Sequence, residues 1–105
     1  MNDRHFNHFY VAGFTYYEGV DVFDKLHIGT KVELKYEADN KFDNYAVAIY
    51  FENSKIGYIP KNMNKEIFKF LSLGHTNLFE AKINQVTPDA HPENQIGVIV
   101  KILKK

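Results

Sequence analysis

Cysteine and tryptophan are both absent from this chain of 105 residues. Without cysteine, the chain has no disulfide framework, no thiolate zinc site and no cysteine nucleophile. Long apolar runs are also missing: the longest, Tyr45 to Phe51, has seven residues, about a third of what a membrane-spanning helix needs. The first residues lack the apolar stretch of a secretory signal. We therefore expect a cytoplasmic protein with no membrane partner.

An excess of charge of either sign is lacking as well, because 13 Lys and Arg balance 13 Asp and Glu. The balance is uneven along the chain. Residues 1–54 carry five basic and nine acidic side chains, and residues 55–105 carry eight basic and four acidic side chains. This asymmetry is a weak indication that one face meets an anionic partner. A solvated surface with unevenly placed lysines explains the same counts.

The overall composition is that of a folded globular domain. The hydrophobic fraction is 45%, the charged fraction is 25%, and nine Phe and seven Tyr are present, which excludes disorder as the dominant state. A chain of this length fits one domain, covering residues 1–105. By surface-to-volume scaling, it can bury roughly two thirds of the surface that the unfolded chain exposes.

Most of the chain has the period-two pattern of short strands. In Lys31 to Tyr36, apolar and charged residues alternate, which predicts a half-buried strand. The other predicted strands are Phe6 to Phe14, Tyr45 to Phe51, Lys55 to Ile59, Leu78 to Val86 and Gln95 to Leu103. Two prolines and several acidic or amide residues make residues 87–94 a loop.

One segment has a helical period instead. After Pro60, the apolar residues Met63, Ile67, Phe70 and Leu71 share one predicted helix face, with Gly74 at the stop position. Asn62 is the predicted N-cap, and Lys61, Lys65 and Lys69 fall on the opposite face. The sequence therefore predicts a mainly β fold, a small OB-like or SH3-like barrel of five or six strands with one helix at about residues 62–73.

Catalytic and metal sites have little support. The six glycines match no phosphate-binding spacing, and no His-Glu-x-x-His motif occurs. His5 and His8 form one candidate ligand pair, and Asp89, His91 and Glu93 form another cluster. A metal site needs three or four convergent ligands on rigid elements. We therefore interpret both clusters as surface residues and expect no enzyme activity and no cofactor.

Aromatic side chains in polar turns are the more informative feature. Phe42 lies in an Asp- and Asn-rich turn that does not need an aromatic residue, and Tyr16 and Tyr17 lie between two glycines. Exposed rings on a small barrel suit base stacking with single-stranded nucleic acid. They suit binding of proline-rich peptides equally well. The composition does not decide between these two functions.

Three sequence blocks narrow the choice. They are VAGFTYYEG at residues 11–19, LKYEADNKFDNYAV at 34–47, and IGYIPKNMN at 56–64. In order and spacing they resemble the HIRAN domain family, and the resemblance covers roughly residues 6–103. It implies an OB-like barrel that binds DNA, with a role in DNA repair. The DNA-binding residues that it implies are Tyr16, Asn40, Phe42, Asp43, Tyr58 and Lys61.

In Swi/Snf-type translocases the HIRAN domain captures a free 3′-hydroxyl end of single-stranded DNA. The resemblance implies the same capture for this chain. Tyr16 and Phe42 would then stack on the terminal bases, and Asp43 would accept a hydrogen bond from the hydroxyl. The other three residues would lie near the sugar and phosphates. Thr15 and Tyr58 depart from that version, which carries an arginine and a histidine there. The chain is thus expected to be a non-catalytic binding module, with any helicase or nuclease supplied by another chain. The alternative is a peptide- or protein-binding barrel that serves as an adaptor for a DNA-processing partner.

Overall fold

The computed structural model describes the backbone of residues 3–103 and the side chains of residues 7–103. Within these residues the strands are β1 Asp3–Tyr10, β2 Lys31–Tyr36, β3 Val47–Phe51, β4 Ser54–Tyr58, β5 Phe79–Val86 and β6 Ile96–Leu103. The α-helices are α1 Gly19–Val22 and α2 Lys65–Ser72. Short 3₁₀ turns cover Phe14–Tyr16, Phe23–Lys25, Lys61–Met63 and Pro92–Asn94. None of the helices in this part of the chain has the length and apolar character required to cross a membrane.

The strands form one antiparallel sheet in the order β1-β6-β5-β2-β3-β4. Its two ends are brought together by Ala12, just beyond β1, and Tyr58, at the end of β4. The Ala12 N–H donates to the Tyr58 carbonyl at 2.8 Å, and the Tyr58 N–H donates back to the Ala12 carbonyl at 2.9 Å. The sheet therefore curls on itself, which confirms the predicted mainly β, OB-like fold.

The core lies inside this curled sheet. Along β2, Val32 is buried while Lys31, Glu33 and Lys35 are exposed, as the alternating pattern predicts. Strand β3 contributes Val47 and two more residues to the buried interior. The remaining large side chains that are fully buried are Val11, Phe14, Leu26, Ile56, Ile59, Ile67, Ile83, Ile96, Val98 and Val100. Burial of this apolar surface stabilises the barrel.

Helix α2 covers one open side of the sheet and begins later than the sequence predicts. A separate 3₁₀ turn, Lys61–Met63, precedes it, so Asn62 is not the N-cap and Asn64 takes that position. Gly74 follows the helix with a φ of 95°, as expected of a C-terminal glycine. Ile67 and Leu71 are buried, as predicted.

Phe70 does not belong to the core as the helical pattern indicated. Its residue surface is 39% exposed, and its ring packs edge-on against Phe79, with 6.1 Å between centroids. The ring lies at the flank of the apolar face, where His75 also contacts it edge-on with 6.0 Å between centroids. Met63 lies in the 3₁₀ turn before the helix and is half-buried.

The first connection of the barrel is helical, whereas the sequence predicted a strand as far as Phe14. Gly13 turns the chain with a φ of 72°, and Phe14 then enters the core with 0% exposure. The backbone of Gly19 packs directly on this ring, because an added Cβ would lie 2.3 Å from it. Phe23 closes the cluster edge-on at 5.7 Å from Phe14. Buried Phe14 thus holds residues 14–25 on the barrel.

Candidate functional site

A pocket of about 620 Å³ opens between the segment after β1, the turn between β2 and β3, and the end of β4. All six residues that the sequence assigned to DNA binding line this pocket: Tyr16, Asn40, Phe42, Asp43, Tyr58 and Lys61. They come from three separate blocks of the chain. The fold brings them together because the bridge between Ala12 and Tyr58 joins the first block to the third.

Two aromatic rings project from the rims of the pocket. Tyr16 is 82% exposed and Phe42 is 88% exposed. Tyr16 ends the 3₁₀ turn that begins at Phe14, so the buried ring of Phe14 anchors the turn that presents Tyr16. Neither exposed ring is covered by the barrel. Both are therefore available to a flat, apolar surface brought by a ligand.

Asn40 organises the turn that carries Phe42. Its Oδ1 accepts hydrogen bonds from the backbone N–H of Phe42 at 2.8 Å and of Asp43 at 3.0 Å. Its Nδ2 donates to Glu37 Oε1 at 2.9 Å. This arrangement follows from the tendency of Asn to bond the backbone two or three residues ahead. Asn40 thus holds the turn and keeps one amide hydrogen for a ligand.

The carboxylate of Asp43 is fixed by two donors. Oδ1 accepts from the backbone N–H of Tyr45 at 2.9 Å, and Oδ2 accepts from Asn64 Nδ2 at 2.8 Å. Asn64 is 1% exposed and is the buried polar residue of the described core. A carboxylate oxygen has a second lone pair, so Asp43 can still accept a hydrogen bond from a ligand in the pocket.

Lys61 closes the rim beside Phe42. Its Nζ donates to the backbone carbonyl of Phe42 at 3.1 Å, and both residues are exposed. The contact ties the turn between β2 and β3 to the 3₁₀ turn that precedes α2. An ammonium group has three donors, so Lys61 can hold the turn and contact an anion at the same time.

Tyr58 belongs to a hydrogen-bonded network at the floor of the pocket. Its hydroxyl donates to Glu37 Oε1 at 2.7 Å and accepts from Lys55 Nζ at 2.9 Å. Lys55 also forms an ion pair with Glu37 Oε2 at 2.9 Å. The ring of Tyr17 packs edge-on against Tyr58, with centroids 5.4 Å apart. The phenol is therefore held in one position by contacts on several sides.

This network shifts the proton affinities of its three members. Burial raises the pKa of Glu37, but hydrogen bonds from Tyr58, Lys55 and Asn40 outweigh burial and leave that pKa below its ordinary value. Burial lowers the pKa of Lys55, and its bonds to Tyr58 and Glu37 reverse the effect, so the net shift is upward. The pKa of Tyr58 is raised by burial and by its bond to Glu37. At neutral pH the floor thus holds one carboxylate, one ammonium and one neutral phenol.

The sequence patterns assigned no role to Glu37, Lys55 or Asn64, although all three support the pocket. Glu37 and Asn64 lie inside the sequence blocks that carried the family resemblance, and Lys55 directly precedes the third block. Their position in those blocks was the available signal. The side-chain hydrogen bonds among these residues and to the pocket span up to 21 residues of the chain, which the local pattern does not reveal.

The two clusters considered as metal ligands do not form a site in the described part of the chain, where no three His, Asp or Glu residues are grouped for a metal ion. The side chain of His5 lies outside the described residues. His91 Nδ1 accepts the backbone N–H of Glu93 at 3.2 Å and so caps the 3₁₀ turn Pro92–Asn94. This contact gives His91 a structural role in the loop.

Comparison with known proteins identifies the family. The family model described as HIRAN domain matches residues 6–102. The chain belongs to the HIRAN domain family. A comparison with curated proteins gave no significant match.

Two solved structures share the fold. One is a protein from Lactobacillus plantarum, with a TM-score of 0.81, 18% identity, and coverage of 98% of this chain and 97% of that chain. The other is the HIRAN domain of human HLTF, with a TM-score of 0.73, 16% identity, and coverage of 99% and 81%. HIRAN domains bind DNA, and this membership makes the chain a nucleic-acid-binding module.

Two positions of this HIRAN domain, Thr15 and Tyr58, depart from the arginine and histidine of the translocase version. Thr15 is exposed and does not line the pocket, so no charge approaches the ligand from that position. At Tyr58 the neutral phenol is in contact with the ammonium of Lys55. That positive charge is balanced by Glu37. The lysines that line the pocket are Lys41 and Lys61, and neither forms an ion pair with a carboxylate in the described part of the chain.

Proposed function

We propose that this HIRAN domain binds single-stranded DNA without catalysing a reaction and holds a free 3′-hydroxyl end in the pocket. The observation that carries the proposal is the exposure of Tyr16 and Phe42 at the two rims of one pocket. A terminal base placed between them would stack on rings that the barrel leaves uncovered. Stacking of this kind contributes about 1–3 kcal/mol per base and tolerates any sequence.

End recognition is assigned to Asp43. Its carboxylate is held by Tyr45 and Asn64 and retains acceptor capacity toward the pocket. A 3′-hydroxyl donates a hydrogen bond to such an acceptor, whereas a 3′-phosphate has no donor and adds repulsion between like charges. The pocket should therefore favour a hydroxyl end over a phosphorylated end.

Fluorescence anisotropy with matched oligonucleotides tests this assignment. We expect an oligonucleotide with a 3′-hydroxyl to bind several-fold more tightly than its 3′-phosphorylated twin. Asp43→Asn should remove most of that preference, whereas Asp24→Asn, which removes the same charge outside the pocket, should keep it. Equal affinities of the parent protein for both ends would exclude recognition of the 3′-hydroxyl by Asp43.

The exposed rings also favour a second function, an adaptor that binds an apolar or proline-rich segment of a DNA-processing partner such as a helicase or nuclease. In that case Tyr16 and Phe42 would contact side chains rather than bases. Competition separates the two functions. If the pocket is a DNA site, an unlabelled proline-rich peptide should not displace a labelled oligonucleotide from it. If DNA displaces a bound peptide, both ligands use the pocket.

A further inference from the structure

The lysines at positions 61, 65 and 69 form an exposed basic row beside the pocket. In the described part of the chain, none of the three forms an ion pair with a carboxylate. All three residues are exposed. The pocket itself uses Lys61, which leaves Lys65 and Lys69 on α2 without a role in the proposed function.

The start of α2 is joined to the pocket by side-chain contacts. Asn64, at the N-cap position, donates to Asp43 at 2.8 Å. Lys65 follows in the chain, and its Nζ lies 5.3 Å from the centre of the Tyr45 ring. Tyr45 is two residues beyond Asp43 and belongs to the same turn. Lys65 therefore lies beside the turn that carries Asp43, and Lys69 follows one turn along the helix.

The segment that follows Tyr16, outside the pocket on the other side, is acidic. The segment that carries Tyr16 continues through Glu18, Asp21 and Asp24, all of which are exposed, with Lys25 as its one basic residue. A phosphate backbone leaving the pocket on that side would meet three carboxylates and one lysine, whereas on the side of α2 it would meet two lysines and one exposed glutamate. Electrostatics therefore favours one direction for the strand.

We propose that the DNA strand leaves the pocket along α2, with successive phosphates on Lys65 and Lys69, so that its 5′ direction points toward Ser72. This inference rests on the proposed function, because it requires the 3′ end in the pocket. Residues four positions apart on a helix are separated by about 6 Å along its axis. That distance is comparable to the separation of neighbouring phosphates in an extended single strand.

Salt dependence of binding measures the number of phosphates contacted, at about −0.7 in the log–log slope per phosphate for single strands. A thymidine dinucleotide has one internal phosphate and should give a slope of about −0.7 through Lys61. A thymidine octanucleotide should give about −2.1 through all three lysines. Both oligonucleotides carry a 3′-hydroxyl and are compared on the full chain.

The double variant Lys65→Ala/Lys69→Ala provides the direct test. Its log–log slope for the octanucleotide should become shallower, from about −2.1 to about −0.7. If the electrostatic contribution vanishes near 1 M salt, binding of the octanucleotide at 0.1 M salt should be about 25-fold weaker than in the parent. Its binding of the dinucleotide should not change. Alanine keeps a high helix propensity, so α2 should remain folded, and a thermal melt verifies this. The control Lys25→Ala/Lys82→Ala removes the same charge elsewhere and should keep the parent's slopes.

A spin label locates the strand independently. With a nitroxide on the 5′ end of the octanucleotide, backbone amide signals of residues 65–72 should broaden more than those of residues 18–25. Broadening centred on residues 18–25, or unchanged octanucleotide binding by the double variant, would overturn the path along α2 while leaving the pocket as the DNA site. If the parent binds neither oligonucleotide, both the path and the proposed function are wrong.

Discussion

Replacement of Phe42 by alanine separates a binding role from a structural one. The residue is 88% exposed, so only about 12% of its surface is lost to the barrel. With about 200 Å² for a buried phenylalanine and 25 cal/mol per Å², that fraction corresponds to about 0.6 kcal/mol. The turn itself is held through backbone groups, by Asn40 and Lys61, and these contacts survive the substitution. We expect the melting temperature to fall by about 2–4 °C.

The effect on binding should be much larger. Loss of one base–aromatic stack costs about 1–3 kcal/mol, which is about 5- to 150-fold in the dissociation constant. Anisotropy with a 3′-hydroxyl oligonucleotide measures this change, and differential scanning calorimetry measures the stability of the same sample. Phe14→Ala is the matched control, because Phe14 is 0% exposed. Its removal should cost about 3–5 kcal/mol of unfolding free energy and impair binding only through folding.

One pattern of results refutes the reasoning. If Phe42→Ala melts more than about 10 °C below the parent, and its folded fraction binds the oligonucleotide with parental affinity, then the ring supports the barrel and does not stack on a base. Phe70 no longer serves as the buried control that its helical spacing indicated, because it is 39% exposed. Its truncation should cost less than that of Phe14.

Three further predictions concern the support of the pocket. The pKa of Glu37 lies below its ordinary value of 4.5, so its contribution to stability is present above pH 4.5 and is lost as the pH falls through the lowered pKa. In urea denaturation, Glu37→Gln should therefore reduce the loss of unfolding free energy at acidic pH. Gly57→Ala should cost at least about 2 kcal/mol, since its φ is 150° and an added Cβ would lie 2.4 Å from Val11. Gly74→Ala is its control in the same denaturation experiment, with a φ of 95° and no atom within 4 Å, and should cost only about 1–2 kcal/mol of backbone strain. Asn64→Ala should cost about 1–3 kcal/mol by removing a buried donor and should weaken the preference for a 3′-hydroxyl end, because Asp43 loses the bond that orients it.

The sequence predicted the sheet well where one side of a strand faces the core. In β2 the observed strand has the predicted bounds, and Val32 is buried between exposed charged residues as the alternation predicts. Tyr36, on the same predicted inner face, is exposed at the end of the strand. The sequence predicted the first connection poorly. Residues 14–25 contain no run with a period of two or 3.6, and their conformation depends on Phe14, which packs against Gly19 and Phe23. Such contacts within an irregular segment have no signature in hydrophobic periodicity.

For the candidate site, the family resemblance predicted which residues line the pocket. The structure distinguishes the residues that hold the pocket from those that are exposed to a ligand. The amide of Asn40 and the hydroxyl of Tyr58 are engaged by Glu37, whereas Tyr16 and Phe42 have exposed rings. No local pattern distinguishes these two groups, because the separation depends on hydrogen bonds between residues distant in sequence. The fixed polar network also explains how the rings can remain exposed. The turn obtains its stability from Asn40 and Glu37, so the ring of Phe42 is not needed to hold it and stays free to contact a ligand.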